Sequence, residues 1–185
     1  MMSDKIKLKG LLYVMVILFT IHCSLFTTSC SSIDCPVSNT VSVQYEIRDK
    51  AGKALAITDS LSVITTRVNG ENFELDITTR ENNQATVLNK LIGKSAFSLP
   101  ISYSHPEDIL YFCFKNSEKT VIDTVWIKKD DIPHFESVDC AAAFFHELTD
   151  VKLTHHAIDS LVLVNTSVTY DTKTIHFYLY PKIGN

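Results

Sequence analysis

The chain predicts an all-β fold, and three observations carry that reading. Apolar residues recur with a period of two along nearly all of residues 40–185. The segments that show it are rich in Val, Ile, Thr, Phe and Tyr, and turn residues separate them at hairpin spacing. No stretch sustains a helical period, and no internal repeat or heptad appears. About ten short strands in this pattern imply an antiparallel β-sandwich of immunoglobulin-like kind, with a small closed β-barrel as the alternative.

Taken in order, the candidate strands are 41–48 (VSVQYEIR), 60–68 (SLSVITTRV), 73–78 (FELDIT), 86–91 (TVLNKL), 96–101, 109–115 (ILYFCFK), 121–128 (VIDTVWIK), 144–154, 160–165 (SLVLVN) and 175–180 (IHFYLY). Asp49-Lys50-Ala51-Gly52 closes the first, Asn69-Gly70 and Asn82-Asn83 mark later turns, and Asn116-Ser117-Glu118-Lys119 joins two strong strands as a hairpin. Pro100 and Pro106 bracket a loop, 101–105, expected to cross between sheets. The exception to the strand pattern is 139–146, where Cys-Ala-Ala-Ala-Phe-Phe-His reads as a single helical turn before a strand resumes.

The N-terminus reads as an address. Lys5, Lys7 and Lys9 precede an apolar run at 11–21, the charged and hydrophobic regions of a secretory signal peptide. Spanning a bilayer takes about 20 apolar residues, and this run stops at His22. Thr27-Thr28-Ser29-Cys30-Ser31-Ser32 resembles a bacterial lipobox, with Thr27 standing where Leu is usual. Cys23 is the poorer acceptor because bulky His22 precedes it. The organisation expected is a lipoprotein signal peptide at 1–29, a lipidated tether at 30–39 beginning at Cys30, and a sandwich domain at 40–185. An ordinary secretory signal with Cys30 as a structural thiol, and an uncleaved anchor, are the alternatives. Ser31 after the Cys, with no acidic cluster following, points to the outer membrane and its periplasmic face. Two or three acyl chains hold durably where one does not.

With 17 basic and 21 acidic residues in 185, the chain offers no basic field for nucleic acid. Without residues 1–29 there remain 156 residues carrying 14 basic and 20 acidic side chains, so lipid and not electrostatics is expected to do the holding. Cys30 spent on lipid leaves Cys35, Cys113 and Cys140, and an oxidising compartment should pair two of them. Cys35 and Cys140 lie in polar, turn-like contexts, whereas Cys113 sits inside the apolar run 110–114. The expected disulfide is therefore Cys35 to Cys140, with Cys113 a small buried side chain.

Catalytic signatures are few. Beyond residue 40 the glycines are Gly52, Gly70, Gly93 and Gly184, which supply no phosphate loop, dinucleotide fingerprint or nucleophile elbow. His146-Glu147-Leu148-Thr149-Asp150 has Asp150 where a zinc protease needs its second His. His155 and His156 are adjacent, which on a strand sends them to opposite faces, and a site built from them with His134 and His146 has no spacing to support it. Cys140 beside His134 or His146 reads as a disulfide cysteine before it reads as a nucleophile. Glu107-Asp108 and Asp130-Asp131 sit beside Pro106 and Pro133 and read as solvated loop charges where a glycosidase needs facing acids. No enzyme, cofactor or metal is expected. Tyr103, Tyr111, Trp126, Tyr170, Tyr178 and Tyr180 are candidates to stack on sugar. Trp126, Tyr178 and Tyr180 would form that platform if exposed together, against the alternative of an aromatic inner face. Asp59-Ser60-Leu61, Asp123-Thr124-Val125 and Asp159-Ser160-Leu161 match the Asp-(Ser/Thr)-apolar pattern of periplasmic O-glycosylation, and each also fits a turn-to-strand start.

Ser31-Ser32-Ile33-Asp34-Cys35-Pro36, the stretch from Phe97 through Ser104, the stretch from His134 through Cys140 with Phe144-Phe145-His146, and His155-His156-Ala157-Ile158-Asp159-Ser160 together resemble an uncharacterised family of Bacteroidota lipoproteins. The resemblance implies a lipoprotein of unknown function without assigned catalytic residues. The expected function is a lipid-anchored, non-catalytic sandwich that acts as a structural or adaptor module on an envelope protein partner. The second reading is a carbohydrate-binding module.

Overall fold

The computed structural model describes Met15 and residues 41–65, 67–68, 71–72, 85–140 and 142–182. Residues 1–35 and 36–185 form two compact units. Within the first, Met15 is helical and exposed, while Cys30 and Cys35 lie outside the described residues, as does the candidate strand 73–78.

The second unit is an all-β sandwich. In chain order its strands are β1 (Ser42–Ile47), β2 (Ser60–Thr65), β3 (Arg67–Val68), β4 (Glu71–Asn72), β5 (Ala85–Leu91), β6 (Ala96–Pro100), β7 (Glu107–Lys115), β8 (Thr120–His134), β9 (Ala143–Leu153), β10 (Ile158–Leu163), β11 (Ser167–Val168) and β12 (Phe177–Pro181). A four-stranded sheet, β10-β12-β1-β6, packs on a six-stranded one, β11-β9-β8-β7-β2-β5, and β3 with β4 makes a small hairpin. Pairing is antiparallel with one exception: β1 and β12 run parallel. A parallel pair needs a long connection, and here almost the whole domain separates the two strands.

Alternation explains why β1 occupies the middle of its sheet. Val43, Tyr45 and Ile47 face inward and are buried, while the residues between them are half-buried. The register places Tyr45 beside Phe97 and Phe177. Its ring stacks on theirs at 4.8 and 5.3 Å, and Phe112 of the opposite sheet meets it edge-on at 6.1 Å. Each such buried ring contributes roughly 1.5–3 kcal/mol. The Tyr45 hydroxyl is buried without a partner, and burial together with the charge of Asp108 pushes its pKa strongly upward.

β9 keeps a core face along its length only by means of a bulge. The register with β8 slips between Lys128↔Asp150 and Lys129↔Leu148, leaving Thr149 unpaired. His146 and Leu148 point inward before the slip, whereas Val151 and Leu153 are the half-buried residues after it. The strand expected to stop at Lys128 runs on to His134, and from Lys129 onward it has β9 alone as partner. Asp130-Asp131 is therefore part of a strand arm, flanked there by β11 on the far side of β9 and two-stranded only beyond, and not a loop. The helical turn expected at 139–146 is instead a turn around residues 138–140, and residues 143–146 are strand.

Between the two large sheets the chain changes layer six times. As expected, loop 101–106 is one such crossing. The residues between β9 and β10 form another, and a single carboxylate organises it. Asp123 of β8 is 0 % exposed. It accepts the Thr154 hydroxyl at 2.8 Å and the backbone N–H groups of His156, Ala157 and Ile158, each at 2.7 Å. Four donors satisfy a charge that would otherwise be too costly to bury.

Replacing Asp123 with Ala strands those donors in the interior. Since each unsatisfied buried group costs about 1–3 kcal/mol, chemical denaturation should show a loss of at least about 3 kcal/mol. Tyr45→Phe removes a buried hydroxyl that bonds to nothing, so its unfolding midpoint should match or exceed the wild type.

Candidate functional site

The strand registers give the sandwich two distinct ends. At one, which we call the near end, the chain enters β1 at Val41. Ser42 pairs with Pro100, so loop 101–106 and the β8–β9 arm lie at this end. At the far end are the β7–β8 turn at 116–119, the β9–β10 crossing and the last residues of β12.

The near end holds a polar cluster that resembles catalytic machinery in composition. Lys129 Nζ donates to the His105 carbonyl and to Asp131 Oδ1, both at 2.7 Å. Asp131 Oδ1 also accepts from His146 Nδ1 at 2.6 Å, which fixes that imidazole as the Nδ1–H donor. Burial lowers the His146 pKa; the bond to Asp131 opposes this, and the Lys129 charge adds to it. Beside them Asp108 accepts the backbone N–H and the hydroxyl of Ser102. The Lys129 ammonium is 0 % exposed and His146 is buried, while the Asp131 carboxylate that joins them is 21 % exposed. Their contacts fasten loop 101–106 to the arm, because the Lys129 N–H also donates to the Pro106 carbonyl.

His176 performs the same task for the segment that leads into β12. The Gln44 N–H donates to its Nδ1 at 2.9 Å, so the proton sits on Nε2, which donates to the Ser167 carbonyl at 3.1 Å. Burial depresses its pKa, with the Ser167 bond and the Asp171 charge opposing.

The remaining sequence candidates do not converge. His134 stacks on Phe145 at 4.1 Å and bonds Glu136 on the arm, while Glu147 and Asp150 face away from His146, opposite Asp130 and Lys128. His155 and His156 are exposed, and the His155 ring bonds the Asp159 carbonyl. Among the described residues no group of three or more His, Cys, Asp or Glu side chains is placed to hold a metal. Trp126 lies on the outer face of the six-stranded sheet, whereas Tyr178 and Tyr180 lie on that of the four-stranded sheet. The three therefore share no platform, and the Arg48 guanidinium covers the Tyr178 ring at 3.4 Å. Glu107-Asp108 opens β7, with Asp108 buried, so the pair is not a solvated loop. Asp123, read as a glycosylation or turn signal, is a core carboxylate. Cys113 is a buried thiol directed at the Tyr111 carbonyl, and Cys140 is half-buried in the arm's turn.

A cleft of about 450 Å³ opens at the far end. Ile57, Phe114, Val121 and Ala157 supply its apolar wall, and Lys119, His156 and Lys182 bring three basic groups to it against the single acid Asp59. That size and mixture of surfaces is what ligand and partner sites show. Sequence reasoning missed it because its walls come from four separate segments. No helix among the described residues is long and apolar enough to cross a membrane.

A family model described as a family of unknown function (DUF6452) matches residues 74–181, which takes in β5 through β12 but not β1 and β2. No curated protein matches the chain, and no solved structure does.

The two sealed imidazoles carry a pH signature. Each is held neutral in the fold, so between its folded-state pKa and the unfolded value near 6.5 the unfolded chain binds more protons. Stability is then complete above about pH 6.5 and falls as pH drops below it, by up to about 1.4 kcal/mol per pH unit for each imidazole. Thermal melts from pH 7 to 5 should show that fall, and a His146→Gln, His176→Gln chain should show a flatter profile. An unchanged slope in that variant contradicts the assignment.

Proposed function

We propose, starting from the premise that this chain belongs to the DUF6452 family of unknown function, that it is a lipid-anchored envelope protein whose sandwich binds a partner protein without catalysing a reaction. The anchor is acylated Cys30, the location is the outer membrane, and the domain faces the periplasm. The observation that carries this reading is the position of the cleft, at the end of the sandwich opposite the point where the chain from Cys30 enters. A tether at one end and a concave surface at the other is the arrangement an adaptor needs. Lys129 and His146 at the near end are buried and occupied in bracing a loop, which favours contact over turnover.

A Cys35–Cys140 bridge completes the reading. Cys113 is a thiol deep in β7, which leaves Cys140, in the arm's turn, as the natural partner of Cys35. From Cys35 to Val41 is six residues, a reach of about 20 Å, and Val41 lies at the same end of the sandwich as the arm. Closing a loop of more than about 100 residues stabilises by roughly 4–5 kcal/mol in the chain-entropy model.

Cys30→Ser should move the protein from the membrane to the soluble fraction, and undiminished membrane retention contradicts lipidation there. Non-reducing peptide mass spectrometry should find Cys35 joined to Cys140; Cys113 in the linkage contradicts the bridge. A photo-crosslinking amino acid at Thr58, exposed on the cleft wall, should give a discrete adduct in cells that Lys119→Glu with Lys182→Glu suppresses. Adducts confined to a crosslinker at Lys152, on an exposed strand face, would place the contact elsewhere.

A further inference from the structure

At the near end, large apolar side chains stand in solvent. Tyr103 is 66 % exposed, Ile132 49 %, Phe135 68 % and Val138 100 %. They belong to one region of the fold. Tyr103 stacks on Phe144 at 5.0 Å, Phe144 pairs with Pro133, Ile132 pairs with Phe145, and Phe135 and Val138 form the turn between the arm's strands. Beyond the last pair with β11, β8 and β9 run on together from Ile132↔Phe145 to His134↔Ala143 and the turn that joins them, and this end of the arm bears the exposed residues Ile132, Phe135 and Val138. Exposed apolar surface gathered in this way marks a contact site.

The position of the arm identifies its occupant. Val41 and Ser42 lie beside Pro100, and Tyr103 follows Pro100 by three residues, so the chain coming from Cys30 enters the sandwich next to the exposed rings. Ten residues lie between Cys30 and Val41, a span of at most about 40 Å. On the Cys35–Cys140 bridge proposed above, four residues lie between the cysteine joined to the arm's turn and the acylated one, a span of about 17 Å fully extended. The arm tip is thereby confined to the neighbourhood of the lipid headgroups. Residues 130–147 contain no Lys or Arg and include Asp130, Asp131, Glu136, Asp139 and Glu147. Attraction to anionic lipid is therefore not what would hold the tip. Its chemistry suits the headgroup–acyl boundary of a zwitterionic bilayer, where aromatic rings settle.

We propose that the tip of the β8–β9 arm, through Tyr103, Ile132, Phe135 and Val138, inserts into the interfacial layer of the membrane that holds Cys30 and so orients the sandwich with its cleft away from the lipid. The proposal rests on the lipid-anchored reading above, and the experiment separates the two. Full-length lipidated protein carrying Trp126→Phe with Phe135→Trp is reconstituted into phosphatidylcholine vesicles, and a matching Trp126→Phe, Lys119→Trp protein reports on the cleft end. Phosphatidylcholine brominated near the headgroup should quench the indole at position 135 at least severalfold more than the one at 119, with a blue shift only at 135. Raising salt or adding anionic lipid should leave the quenching unchanged. If both proteins float with the vesicles and position 135 is not quenched, insertion is refuted and the anchor stands. If neither floats, the anchoring reading fails and the proposal with it. A blue shift at 135 that bromine does not quench and that grows with protein concentration would assign the tip to a second copy of the chain and overturn the proposal.

Discussion

A chain that changes layer repeatedly must leave backbone groups at each crossing without a ladder to satisfy them, and this constraint governs the interior of the sandwich. The crossing from β9 to β10 shows the solution in its fullest form. One carboxylate, Asp123, enters the core near the start of β8 and accepts three consecutive backbone N–H groups and a hydroxyl. The other buried polar side chains follow the same logic. Asp108 and Lys129 fasten loop 101–106 from its two sides, His146 supports Lys129 through their shared Asp131, and His176 ties the lead-in of β12 to β1 and β11. Asp108, Asp123, Lys129, His146 and His176 are the buried polar and charged residues among those described, and each has work of this kind.

That economy separates architecture from function. A Lys, an Asp and a His within hydrogen-bonding distance would elsewhere suggest acid–base chemistry, which needs a reacting atom within about 3 Å of the group. Here Lys129 and His146 are buried, Asp131 is partly exposed, and the three hold a loop. Two other surfaces lie at opposite ends of the sandwich: exposed apolar side chains on the arm, and a mixed cleft with a basic rim. This polarity is a product of topology. β1 is an interior strand of its sheet and begins at the end that carries the arm, opposite the end that carries the cleft.

Much of the fold was legible in the period-two pattern, because burial on one face of a sheet leaves that trace whatever the topology. The strands at 41–48, 109–115 and 144–154 appear within two residues of their expected limits. The arm was not legible. Asp130, Asp131 and Pro133 carry the composition of a turn, and nothing local reveals that Asp131 bonds inward to Lys129 and His146. The parallel pairing of β1 with β12 and the bulge at Thr149 are likewise set by distant partners. For the site, the sequence offered side-chain types without their neighbours. Asp123 stood out only as the first residue of an Asp-Thr-Val glycosylation or turn motif, and its donors lie more than 30 residues further on. Trp126 and the tyrosines of β12 were grouped by chemistry, and the two sheets place them on opposite outer faces.

The account depends on orientation: the arm toward lipid and the cleft away from it. Its most direct test is energy transfer to acceptor-labelled headgroups from a fluorescent amino acid placed at Val138 or at Lys119 of the lipidated protein in vesicles. β8 alone spans most of the distance between these ends, and its 15 residues at about 3.3 Å each amount to roughly 45–50 Å. Transfer should be strong from position 138 and weak from position 119. Equal transfer from the two positions, or stronger transfer from 119, contradicts the account.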